Sequence, residues 1–146
     1  MPQVYKAKVM SVSHIGITVS SLPEAVRFFE QLLERKPRTV REYSAPYIAT
    51  VTNIPDATLD VAYFDLPGGV SLELTEYREL DRAGVHDTAT PGIAHLSLVV
   101  VGIEELWKKA VASGAQPVSS MVVEITSGPN QGGRMVYLRI HGDVFI

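Results

Sequence analysis

A short segment with a histidine occurs twice in this chain, and each copy is followed by an amphipathic helical pattern. The copies cover residues 13–19 and 94–100, so that His14 and His95 hold the same place, 81 positions apart. Repetition on this scale indicates two copies of one supersecondary unit, whose matched residues should face each other across a pseudo-two-fold axis. The two histidines are therefore expected to lie together, and a pair of imidazoles suggests a metal site.

Each unit is predicted to contain a strand, a helix and three further strands. In the first unit, about residues 8–77, apolar and polar residues alternate over residues 9–19. Ser21, Pro23 and Glu24 then have the spacing of a capping box, which predicts the start of a helix. The later strands are predicted at residues 38–43, 59–66 and 70–77, with a hairpin turn at residues 67–69.

The second unit is expected over about residues 92–146, after a polar linker at about residues 78–91. Its first strand is predicted at residues 93–101 and its helix at residues 104–113, with Gly114 as the stop. The remaining strands are predicted at residues 118–125, 134–140 and 143–146, and the glycine-rich residues 127–133 are interpreted as a connection or lid. The pattern predicts an α+β fold in a single domain over residues 1–146.

The composition excludes several classes of partner. The formal net charge is -3 and there is no run of lysines or arginines, which argues against nucleic acid and anionic membranes. No stretch of 18 apolar residues occurs, so neither a membrane span nor a signal peptide is expected. Cysteine is absent, which excludes a thiolate metal site and a cysteine nucleophile and fits a cytoplasmic location. A small-molecule substrate is left as the expected partner.

Strand alternation predicts which side chains share a surface. Because Val70, Leu72 and Leu74 form an apolar side, Glu73 is expected on the opposite face, together with His14 and His95. Imidazole nitrogen and carboxylate oxygen suit divalent zinc, nickel, cobalt, manganese or iron without selecting among them. By the same alternation, four further side chains are expected to line a ligand cleft on this face: Tyr63, Tyr137, Arg139 and Phe145.

The repeat can be extended by counting. Residues 64–70 match residues 138–144 at an offset of 74, so the second unit is seven residues shorter between its helix and this point. Glu73 then corresponds to position 147, one beyond Ile146. His86, in the linker, and His141, in a turn, are interpreted as surface residues.

The sequence resembles the vicinal oxygen chelate superfamily, which includes glyoxalase I, methylmalonyl-CoA epimerase, extradiol dioxygenases and the fosfomycin and bleomycin resistance proteins. The residues that carry the resemblance span nearly the whole chain: His14-Ile15-Gly16-Ile17, residues 22–29, Leu72-Glu73-Leu74, residues 92–98 and residues 142–146. The resemblance implies two tandem βαβββ modules that form an incomplete barrel-like cleft around a metal. It implies that His14, Glu73 and His95 are metal ligands, with Glu73 also a catalytic carboxylate. It also implies a fourth ligand at the position after Ile146, where the family normally has a glutamate.

The resemblance implies a function class and leaves alternatives open. The first is a divalent-metal-dependent, glyoxalase-like enzyme that moves a proton on a small carbonyl substrate, as a lyase or isomerase does. Glu42, or the residue after Ile146, is the candidate base. The alternatives are an iron(II) extradiol-type dioxygenase and a resistance-type protein that binds a drug without chemistry. A homodimer is also expected by analogy, with the site either within one chain or across two.

Overall fold

The structure is a computed structural model that describes residues 11–44, 46–79, 88–89, 94–127, 129–140 and 144–146. His86, His141 and most of the expected linker lie outside the described residues, so their predictions remain untested. Among the described residues, no helix has both the length and the apolar character needed to cross a membrane.

The first half begins with strand β1, His14–Thr18, followed by helix α1, Leu22–Leu33. Ser21 is the N-cap, as predicted, and its hydroxyl accepts a hydrogen bond from the Glu24 amide at 3.5 Å. The amide of Leu22 donates a shorter bond, 2.6 Å, to Glu76 Oε2. The helix start was therefore predictable from local sequence, whereas its second cap comes from a residue 54 positions away.

Three more strands complete the first sheet: β2, Thr39–Tyr43, β3, Leu59–Asp65, and β4, Ser71–Tyr77. The order in the sheet is β1-β4-β3-β2, with β1 parallel to β4 and the other pairs antiparallel. The predicted hairpin turn joins β3 and β4, where Gly68 and Gly69 take φ values of 93° and 87° that favour glycine. These strands agree closely with the predicted ones.

The main core lies between this sheet and α1. Leu72 and Leu74 of β4 and Ala62 and Phe64 of β3 are all 0% exposed and pack in one cluster with the buried side chains of α1. The helix buries Leu22, Ala25, Phe28 and Phe29. Glu73 is therefore on the face of β4 that points away from the main core, as strand alternation predicted.

A second helix in the first half was not predicted. Helix α2, Pro46–Thr52, packs Ile48 into a small apolar cluster with Ala57, Leu59 and Val61. Leu59 and Val61 have the same strand parity as Tyr63, so this cluster covers one end of the face that carries Glu73. Helix α2 therefore lies beside the part of the sheet that carries Tyr63 and Glu73.

The second half contains helix α3, Ile103–Ala112, and shorter strands than predicted. Gly114 follows the helix with φ 105°, in agreement with its predicted role as the stop. The predicted strand at residues 118–125 is replaced by β5, Gln116–Pro117, and β6, Val123–Glu124. The predicted strand at residues 134–140 is divided into β7, Arg134–Met135, and β8, Leu138–Ile140, and the last strand is β9, Val144–Phe145.

In the described part of the strand predicted at residues 93–101, strand pairing is limited to a single bridge, in which His95 pairs in parallel with Phe145. The same pairing occurs in the first half between His14 and Ser71, at the offsets of 81 and 74 counted in the sequence. Starting from the segment that contains His95, the neighbouring strands in the second sheet are β9, β8 and β5, in that order. This order matches β1-β4-β3-β2 in the first sheet. The result is a mixed α/β fold with a curved sheet that does not close.

Candidate functional site

Glu73 lies at the centre of a polar cluster in the first half. Tyr63 is directly opposite Glu73 in the pairing of β3 with β4, and its hydroxyl donates a hydrogen bond to Glu73 Oε2 at 2.5 Å. Thr75, two residues further along β4, donates to the other oxygen, Oε1, at 2.9 Å. Both oxygens accept hydrogen bonds from neutral hydroxyl groups, which hold the carboxylate in position.

His14 extends this cluster from the neighbouring strand. Its Nε2 lies 3.2 Å from Glu73 Oε2, and its Nδ1 lies 3.0 Å from the hydroxyl of Ser13. The side chains of His14 and Glu73 are 36% and 20% exposed, so the pair is accessible from solvent. The pair thus presents an imidazole nitrogen and a carboxylate oxygen side by side at a strand edge.

Tyr63 is held by contacts with three charged or aromatic neighbours. Its ring meets that of His14 edge to face, with centroids 5.9 Å apart, and the guanidinium of Arg38 lies 5.6 Å from the ring centroid. Burial of the phenol, followed by its hydrogen bond to Glu73, raises the pKa of Tyr63 from 10.0 to about 12. The phenol therefore keeps its proton at neutral pH and remains a hydrogen-bond donor to Glu73.

Gly16 leaves one side of the carboxylate open. It is the direct partner of Glu73 in the parallel pairing of β1 with β4. A Cβ atom built at Gly16 would lie 3.7 Å from Glu73 Oε1 and 3.9 Å from His14 Cδ2. A longer side chain here would fill the space between the two groups, whereas glycine leaves it available to a ligand.

The second half repeats part of this arrangement around His95. The rings of His95 and Tyr137 meet edge to face, with centroids 5.2 Å apart, and Tyr137 corresponds to Tyr63 at the offset of 74. Phe145 is 1% exposed, and the guanidinium of Arg139 lies 5.2 Å from its ring centroid. Each half of the chain therefore carries a histidine and tyrosine pair at matching positions.

The structure brings together two of the three predicted ligands. His14 and Glu73 are in contact, whereas His95 belongs to the second cluster. Within the described ranges, no group of three His, Cys, Asp or Glu side chains is placed to hold a metal ion. In the described part of the chain, His14 and Glu73 therefore lie in one cluster and His95 in another.

Glu42, the predicted base, does not lie beside Glu73. Glu42 is the register partner of Asp60 in β3, and Asp60 is the partner of Glu76 in β4. By strand alternation, these three residues belong to one face of the sheet and Glu73 belongs to the other. The Glu42 carboxylate forms an ion pair with Arg78 at 2.6 Å. The base is consequently left unassigned.

Two residues of the polar cluster, Ser13 and Arg38, were not singled out from the sequence. Strand alternation does predict that Thr75 shares the face of Glu73, and only its hydrogen bond to Oε1 was not predicted. Ser13 precedes His14, and no sequence rule selects its contact with Nδ1. Arg38, which also pairs with Asp65, is brought to Tyr63 only by the pairing of β2 with β3. Side-chain contacts between strands depend on register, which the sequence gives only where a tight turn fixes it.

The chain belongs to the Glyoxalase/Bleomycin resistance protein/Dioxygenase superfamily, whose family profile matches residues 13–137. The match includes His14, Glu73, His95 and both tyrosines of the two clusters. It establishes the superfamily, whose members include metalloenzymes and resistance proteins. No curated protein is a significant match.

Several solved structures share the fold. A glyoxalase family protein from Bacillus cereus is 21% identical, with a TM-score of 0.69 over 99% of this chain and 95% of that one. A glyoxylase/bleomycin resistance protein/dioxygenase domain from Frankia sp. is 24% identical, with a TM-score of 0.62 over 94% of each chain. A glutamate-to-glutamine mutant of the fosfomycin resistance protein FosX from Listeria monocytogenes, in complex with Mn(II) and 1S,2S-dihydroxypropylphosphonic acid, is 11% identical, with a TM-score of 0.58 over 94% of this chain and 90% of that one.

Proposed function

We propose that this protein is a divalent-metal-dependent enzyme of the glyoxalase type, which moves a proton on a small carbonyl substrate as a lyase or isomerase. The observation that carries the proposal is the accessible pair of His14 Nε2 and Glu73 Oε2, 3.2 Å apart. Membership of a superfamily that contains metalloenzymes supports it.

The spacing of this pair fits two ligands of one ion. With metal–ligand distances of roughly 2.1 Å and angles between roughly 90° and 109°, two donor atoms lie roughly 3.0–3.4 Å apart. The separation of 3.2 Å between His14 Nε2 and Glu73 Oε2 is within this interval. Both atoms are on one face of the sheet, beside the space that Gly16 leaves open. The donor types suit zinc, nickel, cobalt, manganese or iron, and Mn(II) is the ion in the FosX structure.

The third ligand is proposed to be the partner subunit's His95. β1, which carries His14, is the outer strand of its sheet, and the segment that carries His95 is the outer member next to β9. Outer strands are the parts of a sheet that can pair with another chain. A two-fold axis that joins the first half of each chain to the second half of the other would form two equal sites, each with His14, Glu73 and the partner's His95.

The side chains around this site have separate proposed roles. When bound, a divalent ion supplies Lewis-acid polarisation of a substrate oxygen. Tyr63 and Thr75 hold the Glu73 carboxylate by hydrogen bonds to its two oxygens, which keeps the carboxylate oriented toward His14. Tyr137 and Arg139 are proposed to contact the substrate, because they share the strand parity of Phe145, the pairing partner of His95. A guanidinium at this position favours a substrate with an anionic or strongly polar oxygen.

Metal analysis tests the proposal. Protein purified without chelator or nickel resin is expected to contain stoichiometric divalent metal, measured by plasma mass spectrometry. His14→Ala, Glu73→Gln and His95→Ala should each lower the metal content strongly, whereas Glu105→Gln, an exposed control on α3, should not. A parent protein that takes up no divalent metal under any loading condition would contradict the proposal.

A binding protein without chemistry is the second candidate, and one observation favours it. Both oxygens of Glu73 already accept hydrogen bonds within the chain, so the cluster of Tyr63, Glu73 and Thr75 is satisfied as it stands. The same metal analysis separates the two functions. Ligand binding by protein without metal, unchanged in His14→Ala and His95→Ala, would favour the binding protein.

A further inference from the structure

The hydroxyl of Ser13 completes the polar surroundings of the His14 imidazole. Ser13 Oγ lies 3.0 Å from Nδ1 on one side of the ring, and Glu73 Oε2 lies 3.2 Å from Nε2 on the other. Both ring nitrogens of His14 are therefore within hydrogen-bond distance of a side-chain oxygen. A neutral imidazole carries one proton on its nitrogens, so one nitrogen donates a hydrogen bond and the other accepts one.

The two neighbours determine which nitrogen of His14 carries the proton. A carboxylate accepts hydrogen bonds and cannot donate them, so the contact with Glu73 requires the proton on Nε2. Nδ1 then accepts a hydrogen bond from the Ser13 hydroxyl. Because its O–H group rotates, a serine hydroxyl can both donate and accept. Ser13 is therefore suited to either form of the neutral ring.

A metal ligand needs the opposite form of the ring. In the proposed function His14 binds the ion through Nε2, whose lone pair must then carry no proton, so the ring proton is on Nδ1. Nδ1–H then donates to Ser13 Oγ, whose own proton turns to solvent. The ring keeps one proton throughout, since Nε2 releases its proton to solvent and Nδ1 takes one from solvent.

The repeat supplies this hydroxyl to only one of the two matched histidines. Ala94 precedes His95 at the position that Ser13 has before His14, at the offset of 81. Alanine has no polar side chain, so His95 cannot receive the same contact from its preceding residue. Its ring instead meets that of Tyr137, with centroids 5.2 Å apart. The contact of Ser13 is thus specific to the half that carries Glu73.

From these observations we infer that Ser13 is a positioning residue for the metal site. Its hydroxyl orients the His14 ring and stays hydrogen-bonded to Nδ1 while the ring proton changes from Nε2 to Nδ1. The inference rests on the proposed function, because metal binding drives this exchange. Ser13 acts through His14 and contacts neither metal nor substrate. Its contact is exposed to solvent, so removal of the hydroxyl should lower metal affinity by about tenfold, the lower end for such neighbours.

Nitrogen-15 NMR of the full chain with labelled histidine observes the two ring forms directly. At about pH 8, where free histidine is mostly neutral, protein freed of metal by chelation should carry the His14 proton on Nε2. Addition of Zn(II) should transfer it to Nδ1. His14→Gln identifies the His14 resonances by their loss. In metal-free Ser13→Ala the Nδ1 resonance should shift, whereas that of Nε2 should change little.

Metal affinity is measured by competition with a fluorescent zinc indicator. Ser13→Ala should bind Zn(II) about tenfold more weakly than the parent. Ser13→Thr keeps the hydroxyl and should retain the affinity of the parent. Ser11→Ala, which removes an exposed serine two residues earlier, is the matched control and should also retain it. Equal melting temperatures of the metal-free proteins show that the variants are folded.

Three results would overturn the inference: equal Zn(II) affinity in Ser13→Ala and the parent, an equal loss in Ser13→Ala and Ser13→Thr, or a metal-free His14 with a proton on Nδ1. In each case the parent still binds metal, so the proposed function stands. A parent that takes up no metal contradicts the proposed function itself, and the exchange at His14 with it.

Discussion

At the scale of single residues, the surroundings of Glu73 could be predicted from the sequence only in part. Strand alternation predicted its face, and the hairpin turn at residues 67–69 makes its pairing with Tyr63 derivable, because the two residues are equally distant from Gly68. The contacts from Ser13 and Arg38 were not derivable, since they depend on rotamers and on the register of β2. Residues fixed by a tight hairpin were therefore predictable, and those fixed by distant pairing were not.

Titration of Tyr63 tests the contact with Glu73. The difference in phenolate absorbance between the parent and Tyr63→Phe should give a pKa of about 12, above the ordinary 10.0. In Glu73→Gln this pKa should fall, because the negative charge that opposes ionisation is gone, although burial remains. A tyrosine that titrates near 10 in both the parent and Glu73→Gln would contradict the hydrogen-bonded pair.

The same shift predicts how stability depends on pH. The pKa of Tyr63 is raised in the folded state, so its contribution to stability is fully present below pH 10 and is lost as the pH rises toward 12. The difference in unfolding free energy between the parent and Tyr63→Phe should therefore shrink over this interval. Urea unfolding at several pH values measures it, and a difference that grows with pH would contradict the assignment.

Phe28 illustrates a buried residue that periodicity alone does not select. Helical spacing predicts a buried stripe that leaves out Phe28 and consists of Leu22, Ala25, Val26, Phe29, Leu32 and Leu33. In the structure Phe28 is nevertheless only 2% exposed. Helix α1 contacts β3, β4 and α3, so its buried face is wider than the stripe that faces a single sheet. Phe28→Ala should lower the free energy of unfolding by about 3–5 kcal/mol, against about 0.5 kcal/mol or less for Val51→Ala. Similar small values for both would contradict this packing.

At the scale of elements, the first half agreed with its predicted strands and helix, and the second half departed from them. The first half is fixed by an N-cap, a glycine turn and clear alternation, all of which are local signals. Helix α2 was missed because Ile48, Thr50, Val51 and Thr52 are β-branched and favour strands. Thr50 and Thr52 hydroxyls donate back to the carbonyls of Pro46 and Ile48, and Ile48 gains burial that local propensity does not include.

The start of α1 offers a prediction about elements. Glu76 accepts the Leu22 amide at 2.6 Å, whereas the bond from the Glu24 amide to Ser21 is 3.5 Å long. A carboxylate at a helix N-terminus also interacts favourably with the helix dipole. Glu76→Ala should therefore lower the free energy of unfolding by about 1–3 kcal/mol, whereas Ser21→Ala should lower it by about 0.5–1 kcal/mol. Denaturant unfolding compares them, and the opposite ranking would show that the local cap dominates.

At the scale of the whole molecule, the central question is how His14 and His95 meet. The repeat predicted that they would lie together, and in the described part of one chain they occupy separate clusters. The pseudo-symmetry nevertheless extends further than the histidines, since the bridge of His95 with Phe145 and the contact of His95 with Tyr137 match their counterparts in the first half. Sequence repetition gives equivalent positions, but whether equivalents join within a chain or between chains depends on how the halves pack.

A mixed dimer tests this account most directly. His14→Ala and His95→Ala chains carrying different tags are co-expressed, and the mixed species is purified by both tags. If each site combines His14 and Glu73 of one chain with the partner subunit's His95, the mixed dimer keeps one complete site and should bind about one metal ion, while each variant alone binds none. A mixed dimer without metal, beside a parent that binds it, would contradict a site shared between subunits.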